Sequence, residues 1–493
     1  MKNAVVIPIM VFPALWVGAV AAAMAPPTDP HIIYSGRWDL SNPQQPWAQA
    51  QGSSIIANFE GRTLIATFDS VPEEFVRVVI DDDGVGSKKL ALQPRTPMTL
   101  AQSLSGGPHK VEIVKETDRG RATFLGFELE DGARLLNVLP RRPRRIEFYG
   151  DSNLAGFSLE SERNQRGDDL VGAYYTYAGI VARMFDAEHV NHSKSGATIS
   201  SLLSAHNRTD WNTPTPLWNY TDSPADLVVV NIGANDRGPK QTIKGRYHNL
   251  LDALRIAHPA APIVVFNAWG WDFNEPANYT SEVVNERDDP NMSVRTFPWI
   301  FEQFHGCEYD HGGMAANLAR HISDVTGWTP KAQDLMNGYG EDGDVANGSF
   351  EEVAPFGGWG WRYFDDPGVS RLRNAGAFDG EHHLRLSDGA ATHQNIPASD
   401  GDTLTVTAWI RGAKDGDQVD ITLDFRDQDA GGGSSSPRET ETETKTLTTS
   451  WRQYTMTATA PIGASKPVFH ARIALKSVGK AIVEIDLVVG SID

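Results

Sequence analysis

The sequence holds a single cysteine, Cys307, in 493 residues. No intrachain disulfide can form, so stability has to come from hydrophobic cores, and the length suggests about three of them. Positive charge is also scarce: 44 lysines and arginines stand against 63 aspartates and glutamates, a formal net charge of -19. That argues against nucleic acid or an anionic membrane as partner, because both require clustered positive charge. A neutral substrate fits better. The one basic cluster, Arg141-Arg142-Pro143-Arg144-Arg145, precedes an apolar strand and reads as a solvated linker between domains. Beyond the first 25 residues no apolar run reaches spanning length, and no repeat recurs at a solenoid period.

At the amino terminus Lys2 precedes an uncharged apolar run over 4–25 that ends in small residues, Ala21, Ala22 and Ala23. This pattern predicts a signal peptide over 1–25 and a secreted or periplasmic address. An uncut run of that length would serve as a membrane anchor, although Pro8 and Pro13 oppose a continuous spanning helix. After leader cleavage no membrane association is expected, and the chain is expected to be a monomer.

Three kinds of periodicity follow one another. Over 31–140 short alternating runs such as 54–59, 63–68 and 75–80 are punctuated by Gly, Pro and Asp, which predicts a β-sandwich of jelly-roll type. Over 145–326 apolar strands alternate with helical stretches, the pattern of an α/β domain with a flavodoxin-like parallel sheet. Strands are expected at 145–149, 226–232 and 262–268, and helices at 174–185, 247–256 and 314–325. A Gly- and Asp-rich linker, 327–344, leads into a second β-sandwich over 345–493, where 403–410, 419–425, 454–459 and 482–487 alternate. Residues 431–437 read as a long loop and 438–449 as an exposed edge strand.

The chemistry begins at Gly150-Asp151-Ser152, directly after the first predicted strand of the α/β domain. A serine at the carboxyl end of a parallel strand points into the crevice where open α/β sheets bind ligands, and N–H groups of a helix beginning there would face developing negative charge. Alone, Gly-Asp-Ser is an ordinary turn. Three further blocks follow in order: Gly196 after the expected second strand, Asn235 in Gly233-Ala234-Asn235-Asp236 after the third, and His311 ahead of the last helix.

With these four blocks the sequence resembles the SGNH (GDSL-type) hydrolases over 145–326. The resemblance implies Ser152 as the nucleophile, His311 as its base, and an oxyanion hole built from the N–H groups of Ser152 and Gly196 with the Asn235 amide. The family usually has an aspartate three residues before the histidine, where this sequence has Glu308. Glu308, a backbone carbonyl and Asp310 are, in that order, the candidates to orient His311. Activation by such a base is what turns a weak serine hydroxyl into a nucleophile.

Over 31–140, Tyr34-Ser35-Gly36-Arg37-Trp38 and the strands around 59–64, 109–115 and 125–129 are similar to the sandwich that precedes the catalytic domain in carbohydrate esterase family 2. That likeness implies an acetyl xylan esterase: a serine esterase with no catalytic cofactor, removing O-acetyl groups from a polysaccharide or oligosaccharide such as xylan or mannan. Trp218 lies in a segment similar to that family, Trp269 follows a predicted strand, and each is a candidate to line the sugar or acyl pocket. The carboxy-terminal sandwich resembles a carbohydrate-binding module opening on Asn347-Gly348-Ser349-Phe350-Glu351. Trp359, Trp361 and Tyr363 are its candidate sugar platforms, and core packing is the competing explanation for each. Glu351 and Asp486 are the implied ligands of a structural calcium. Cys307 is expected to be a buried structural thiol, and His382, His383 and His393 to be surface residues. Two other functions remain open: the same chemistry on lipid or peptidoglycan-linked acyl groups, and a non-catalytic carbohydrate-binding protein.

Overall fold

The computed structural model describes residues 23–493 except 72–73, 138–139, 162–164, 268–278, 298–304, 332–344, 352–359, 363–365, 428–436, 464–466 and 469. Three layered units follow in the expected order, each around its own apolar core.

The first unit is a sandwich of two six-stranded antiparallel sheets. In the strand Leu64–Ser70 alternate side chains Leu64, Ala66 and Phe68 are buried, and Phe68 meets Phe124 of the strand Ala122–Leu129 at 5.4 Å between ring centres. The register of these two strands shifts at Gly126, whose φ is +127° and where a Cβ would come within 2.8 Å of the Ala25 carbonyl. That close approach belongs to the strand Ala23–Ala25, which pairs with 127–129. The last three residues of the expected leader are thus part of a sandwich sheet.

The central unit carries five strands, β1 (Arg144–Gly150), β2 (Ala187–Ser193), β3 (Leu227–Asn231), β4 (Ile263–Asn267) and β5 (Met292–Thr296). They lie parallel in the order β2-β1-β3-β4-β5. Around them run α1 (Ser152–Ala155), α2 (Tyr177–Met184), α3 (Ile199–Ala205), α4 (Lys240–Ala257), α5 (Tyr279–Asn285) and α6 (Glu308–Thr326). In β3, Leu227 and Val229 pack with α2 and α6, whereas Val228 and Val230 pack with α3, α4 and α5. Both faces are covered, which is why this strand reads as an unbroken apolar run rather than an alternating one. The strand order reverses between β1 and β3, and the carboxyl ends at that switch point form the natural crevice of such a sheet.

The third unit is a sandwich of a five-stranded and a four-stranded antiparallel sheet. Its edge strand Pro437–Thr446 alternates threonine with glutamate and stands largely exposed, a composition that opposes edge-to-edge pairing.

The first two units are joined by buried charge. Arg37 of the sandwich pairs with Glu147 in the middle of β1 at 2.6 Å, both side chains fully enclosed, and donates to the carbonyls of His206 and Arg208. Removing one partner of such a pair costs about 3–5 kcal/mol. The basic cluster is likewise no solvated linker. Arg142 pairs with Glu112 at 3.1 Å, Arg145 with Glu188 at 2.6 Å, and Arg144 donates to the Phe185 carbonyl.

Candidate active site

The register of the central sheet assembles the site. Gly150 at the end of β1 stands level with Ser193 on β2 and Asn231 on β3. Ser152, Gly196 and Asn235 lie two, three and four residues beyond that row, so all three leave the sheet at the same edge. The nucleophile turn is tight: a Cβ on Gly150 would meet the Asn231 carbonyl at 2.5 Å, and one on Gly156 would meet the Gly172 carbonyl at 1.9 Å. Asp151 caps α1 by accepting the Asn153 N–H at 3.1 Å, and Gly156 ends it at φ +76°. This helix has one turn, so it offers local N–H groups rather than a macrodipole.

Gly196 adopts φ +82° beside open space, and the Asn235 amide donates to the Ala197 carbonyl at 2.9 Å, which keeps it against the same loop. Asp236 accepts the Ile199 N–H at 2.9 Å and ties the Asn235 turn to the start of α3. The first sandwich reaches this loop as well. Asp118 Oδ2 accepts the Ser195 N–H at 2.7 Å, and Gln51 Nε2 donates to the Ser193 carbonyl at 3.1 Å and to Asn191 Oδ1 at 3.2 Å.

The histidine at Ser152 is not the expected one. His305 Nε2 lies 3.1 Å from Ser152 Oγ, and its ring packs against Phe157 at 4.6 Å between centres. His311 lies within the first turn of α6, where its Nδ1 accepts the Tyr177 N–H at 3.1 Å and its ring stacks on Tyr177. A backbone N–H can only donate, so neutral His311 carries its proton on Nε2. The capping box at Cys307 and Asp310 explains the difference. It starts α6 at Glu308, which builds His311 into the packed helix and leaves His305 on the segment ahead of it. Glu308 is buried at the same helix start, with its charge felt at Tyr175. His311 is engaged with Tyr177, and His305 is the ring placed at hydrogen-bond distance from Ser152 Oγ.

Burial sets the charge state of the site. It pushes His305 down to about 3, with the neighbouring His311 and Arg166 acting in the same direction. His311 is pushed down to about 4 by burial, against the partial opposition of Asp310. Burial raises Asp151 to about 7, with Asp236 adding to the effect and the N–H groups of Asn153 and Ala234 opposing it. Both rings are therefore neutral at ordinary pH, which leaves His305 in its base form.

The tryptophans fall elsewhere. Trp218 borders a cavity of about 660 Å³ with Tyr220, Ile256 and His258. Ile256 and His258 mark the carboxyl end of α4, and Ala225 lies just before β3, so this cavity opens at the opposite end of the sheet from Ser152. Trp218 is stacked there under the Arg37 guanidinium at 5.4 Å, a packing role. Trp361 is entirely buried against Phe350 in the core of the third unit and donates to the Asn347 carbonyl at 3.3 Å. Trp269, Trp359 and Tyr363 lie outside the described residues. The third unit does present aromatics on the outer face of its five-stranded sheet, where Phe378 stacks on Trp409 at 3.8 Å with Trp451 alongside. His383, expected at the surface, is enclosed beneath this group.

Glu351 and Asp486 do not fit the expected calcium. Glu351 Oε1 accepts the N–H groups of Glu381 and His382 at 2.8 and 2.6 Å, and its Oε2 meets His382 Nδ1 at 2.7 Å. Asp486 Oδ2 accepts from Phe378 and Asp379 at 2.7 and 3.0 Å, and Oδ1 from Leu487 at 2.8 Å. The positive ends of these N–H groups face the oxygens a cation would need. These backbone donors hold the 378–382 turn.

Comparison with known proteins agrees with the layering. Residues 34–138 match the carbohydrate esterase 2 N-terminal family, and residues 148–296 the GDSL-like lipase/acylhydrolase family. The cellulase/esterase CelE of Acetivibrio thermocellus is 27% identical over 335 residues, 61% of this chain and 40% of that protein. An acetylxylan esterase/glucomannan deacetylase of Cellvibrio japonicus is 25% identical over 334 residues, 61% of this chain and 90% of that protein. The first of these relatives is thus matched over less than half its own length. A solved family two carbohydrate esterase from Clostridium thermocellum, in complex with cellohexaose, shares the fold at a TM-score of 0.56 and 24% identity, covering 60% of this chain and 99% of that one.

Proposed function

We propose that this chain, an SGNH hydrolase of the family 2 carbohydrate esterase type, is an exported esterase that removes O-acetyl groups from neutral plant-type polysaccharide. One observation carries the reading: the 3.1 Å approach of His305 Nε2 to Ser152 Oγ at the carboxyl end of a parallel sheet. The acetylxylan esterase relatives support the acyl group and the carbohydrate leaving group.

In this mechanism Ser152 Oγ attacks the acetyl carbonyl while His305 Nε2 takes its proton. The N–H groups of Ser152 and Gly196, with the free hydrogen of the Asn235 amide, hold the oxyanion, and each such donor contributes about 100- to 1,000-fold in rate. Collapse breaks the bond to the sugar oxygen, which receives the proton from His305. Water, deprotonated by the same ring, then releases acetate from Ser152. The neutral ring accepts the serine proton, and the imidazolium so formed, disfavoured by burial, returns it readily to the sugar oxygen. The partly exposed Phe378, Trp409 and Trp451 group supports sugar stacking by the third unit, and the net charge of -19 favours an uncharged polymer over an acidic one.

Acetate release from acetylated xylan and acetylated glucomannan, compared with hydrolysis of nitrophenyl esters of rising chain length, tests the substrate class. The expected result is release from a polysaccharide and rates that fall beyond acetate. Preference for long acyl chains would move the assignment to lipid esters.

A further inference from the structure

Asp310 stands in the first turn of α6, five residues after His305, and is almost wholly buried. Its Oδ2 accepts the N–H of Cys307, the helix-capping residue, at 2.8 Å. A second donor reaches the same oxygen from 52 residues further along the chain: the guanidinium of Arg362, in the carboxy-terminal unit. Arg362 is itself firmly held. Its backbone N–H and carbonyl exchange hydrogen bonds with His393 at 2.8 and 3.0 Å, and the Thr392 hydroxyl donates to its carbonyl at 3.0 Å. Two residues earlier, Gly360 at φ +85° lies so close to the Tyr309 ring that a Cβ would come within 2.5 Å of it. Gln394 then ties Gly360 to Ala346, which packs against the core shared by α2 and α6.

A binding module on a flexible tether makes few buried polar contacts with its neighbour. Here a buried carboxylate is shared between a helix cap and an arginine from another unit. That ion pair fixes where α6 begins, and only Gly306 separates the capping Cys307 from His305.

We propose that Arg362 is a positioning residue for ester hydrolysis, supplied by the carboxy-terminal sandwich, which sets the segment bearing His305 against Ser152. The inference rests on the Ser152–His305 reading of the site. Without Arg362 the Asp310 carboxylate loses its counter-charge in an enclosed setting, and the cap at Cys307 loosens as water is drawn in. A small displacement of a base costs turnover far more than it costs substrate binding.

The test is steady-state hydrolysis of nitrophenyl acetate by full-length Arg362→Ala, Arg362→Lys and Asp310→Asn, normalised by titration of the reactive serine. Lys445→Ala on the exposed edge strand is the control. Arg362→Ala is expected to lower kcat about tenfold with KM changed by no more than about twofold, and Arg362→Lys to recover most of the loss. Lys445→Ala should match wild type. A folded Arg362→Ala with wild-type kcat overturns the inference, as does a loss that vanishes on normalisation. Should Arg362→Ala fail to fold, Asp310→Asn decides it: a kcat about tenfold below wild type is expected, and a wild-type kcat overturns the inference. An inactive wild type would instead remove the esterase reading itself.

Discussion

At the scale of single residues the decisive relation is between Ser152 and the ring that takes its proton. Burial depresses His305 to about 3, so the base form persists far below the usual histidine range. An initial-rate kcat/KM at pH 5 should therefore keep more than about half its value at pH 7, where a base titrating near 6.5 would keep about 4%. A loss of the larger size would show that the working base is more exposed than His305. Ser152, Gly196 and Asn235 were legible because each follows a strand end, and strand ends in a parallel sheet share an edge. His305 was not legible from the motif, because the histidine expected three residues after Glu308 is drawn into a helix whose start depends on the Cys307 and Asp310 cap. The tryptophans failed for another reason. Whether Trp218 or Trp361 stacks on a sugar depends on which end or face it occupies, and local periodicity carries no information about that.

At the scale of elements the important junction is between the first sandwich and the loop that follows β2. Asp118 and Gln51 hold the backbone of residues 193–195 just before Gly196. Asp118→Ala leaves the Ser195 N–H without this acceptor, so the Gly196 donor should lose its fixed aim. The expected effect is a fall in kcat of about tenfold with KM nearly unchanged, measured on nitrophenyl acetate, because an oxyanion donor acts mainly on the transition state. Asp118→Asn, which retains a carbonyl oxygen to accept the N–H, should recover much of it. Equal loss in both variants would indicate a charge effect and not a positioned hydrogen bond. The strands β1, β3 and β4 were readable as apolar runs. The edge strand β5 was not, since Ser293 and Arg295 interrupt its apolar character.

At the scale of the whole molecule the number of enclosed titratable groups governs how the fold responds to acid. Burial holds His189, His305 and His470 near 3 and His311 near 4, and lowers His192 in the same direction. The unfolded chain takes up protons at these rings below about 6.5 while the folded chain does not, so stability is full above that pH and falls as pH drops toward 4. Asp151 and Glu160, raised to about 7, oppose this, as does His109, raised by its hydrogen bond to Asp81. His206, His258 and His321 are lowered as well, and Asp236 and Asp486 raised, so eight lowered rings against five opposing groups leave the first effect ahead, and the thermal midpoint should be about 5 °C lower at pH 5 than at pH 7.5. A midpoint that stays level or rises on acidification would mean that these rings are solvated. The order of three units was legible from the changes in hydrophobic period, but the buried ion pairs Arg37–Glu147 and Arg362–Asp310 that lock them together were not, because each joins residues remote in sequence. The most direct test of the account is acetate release from acetylated glucomannan by wild type, Ser152→Ala, His305→Ala and His311→Gln, each checked for folding. The account predicts that the first two variants fall by about 10⁶-fold, toward background, while His311→Gln stays within about tenfold of wild type. An active His305→Ala beside an inactive His311→Gln would contradict it.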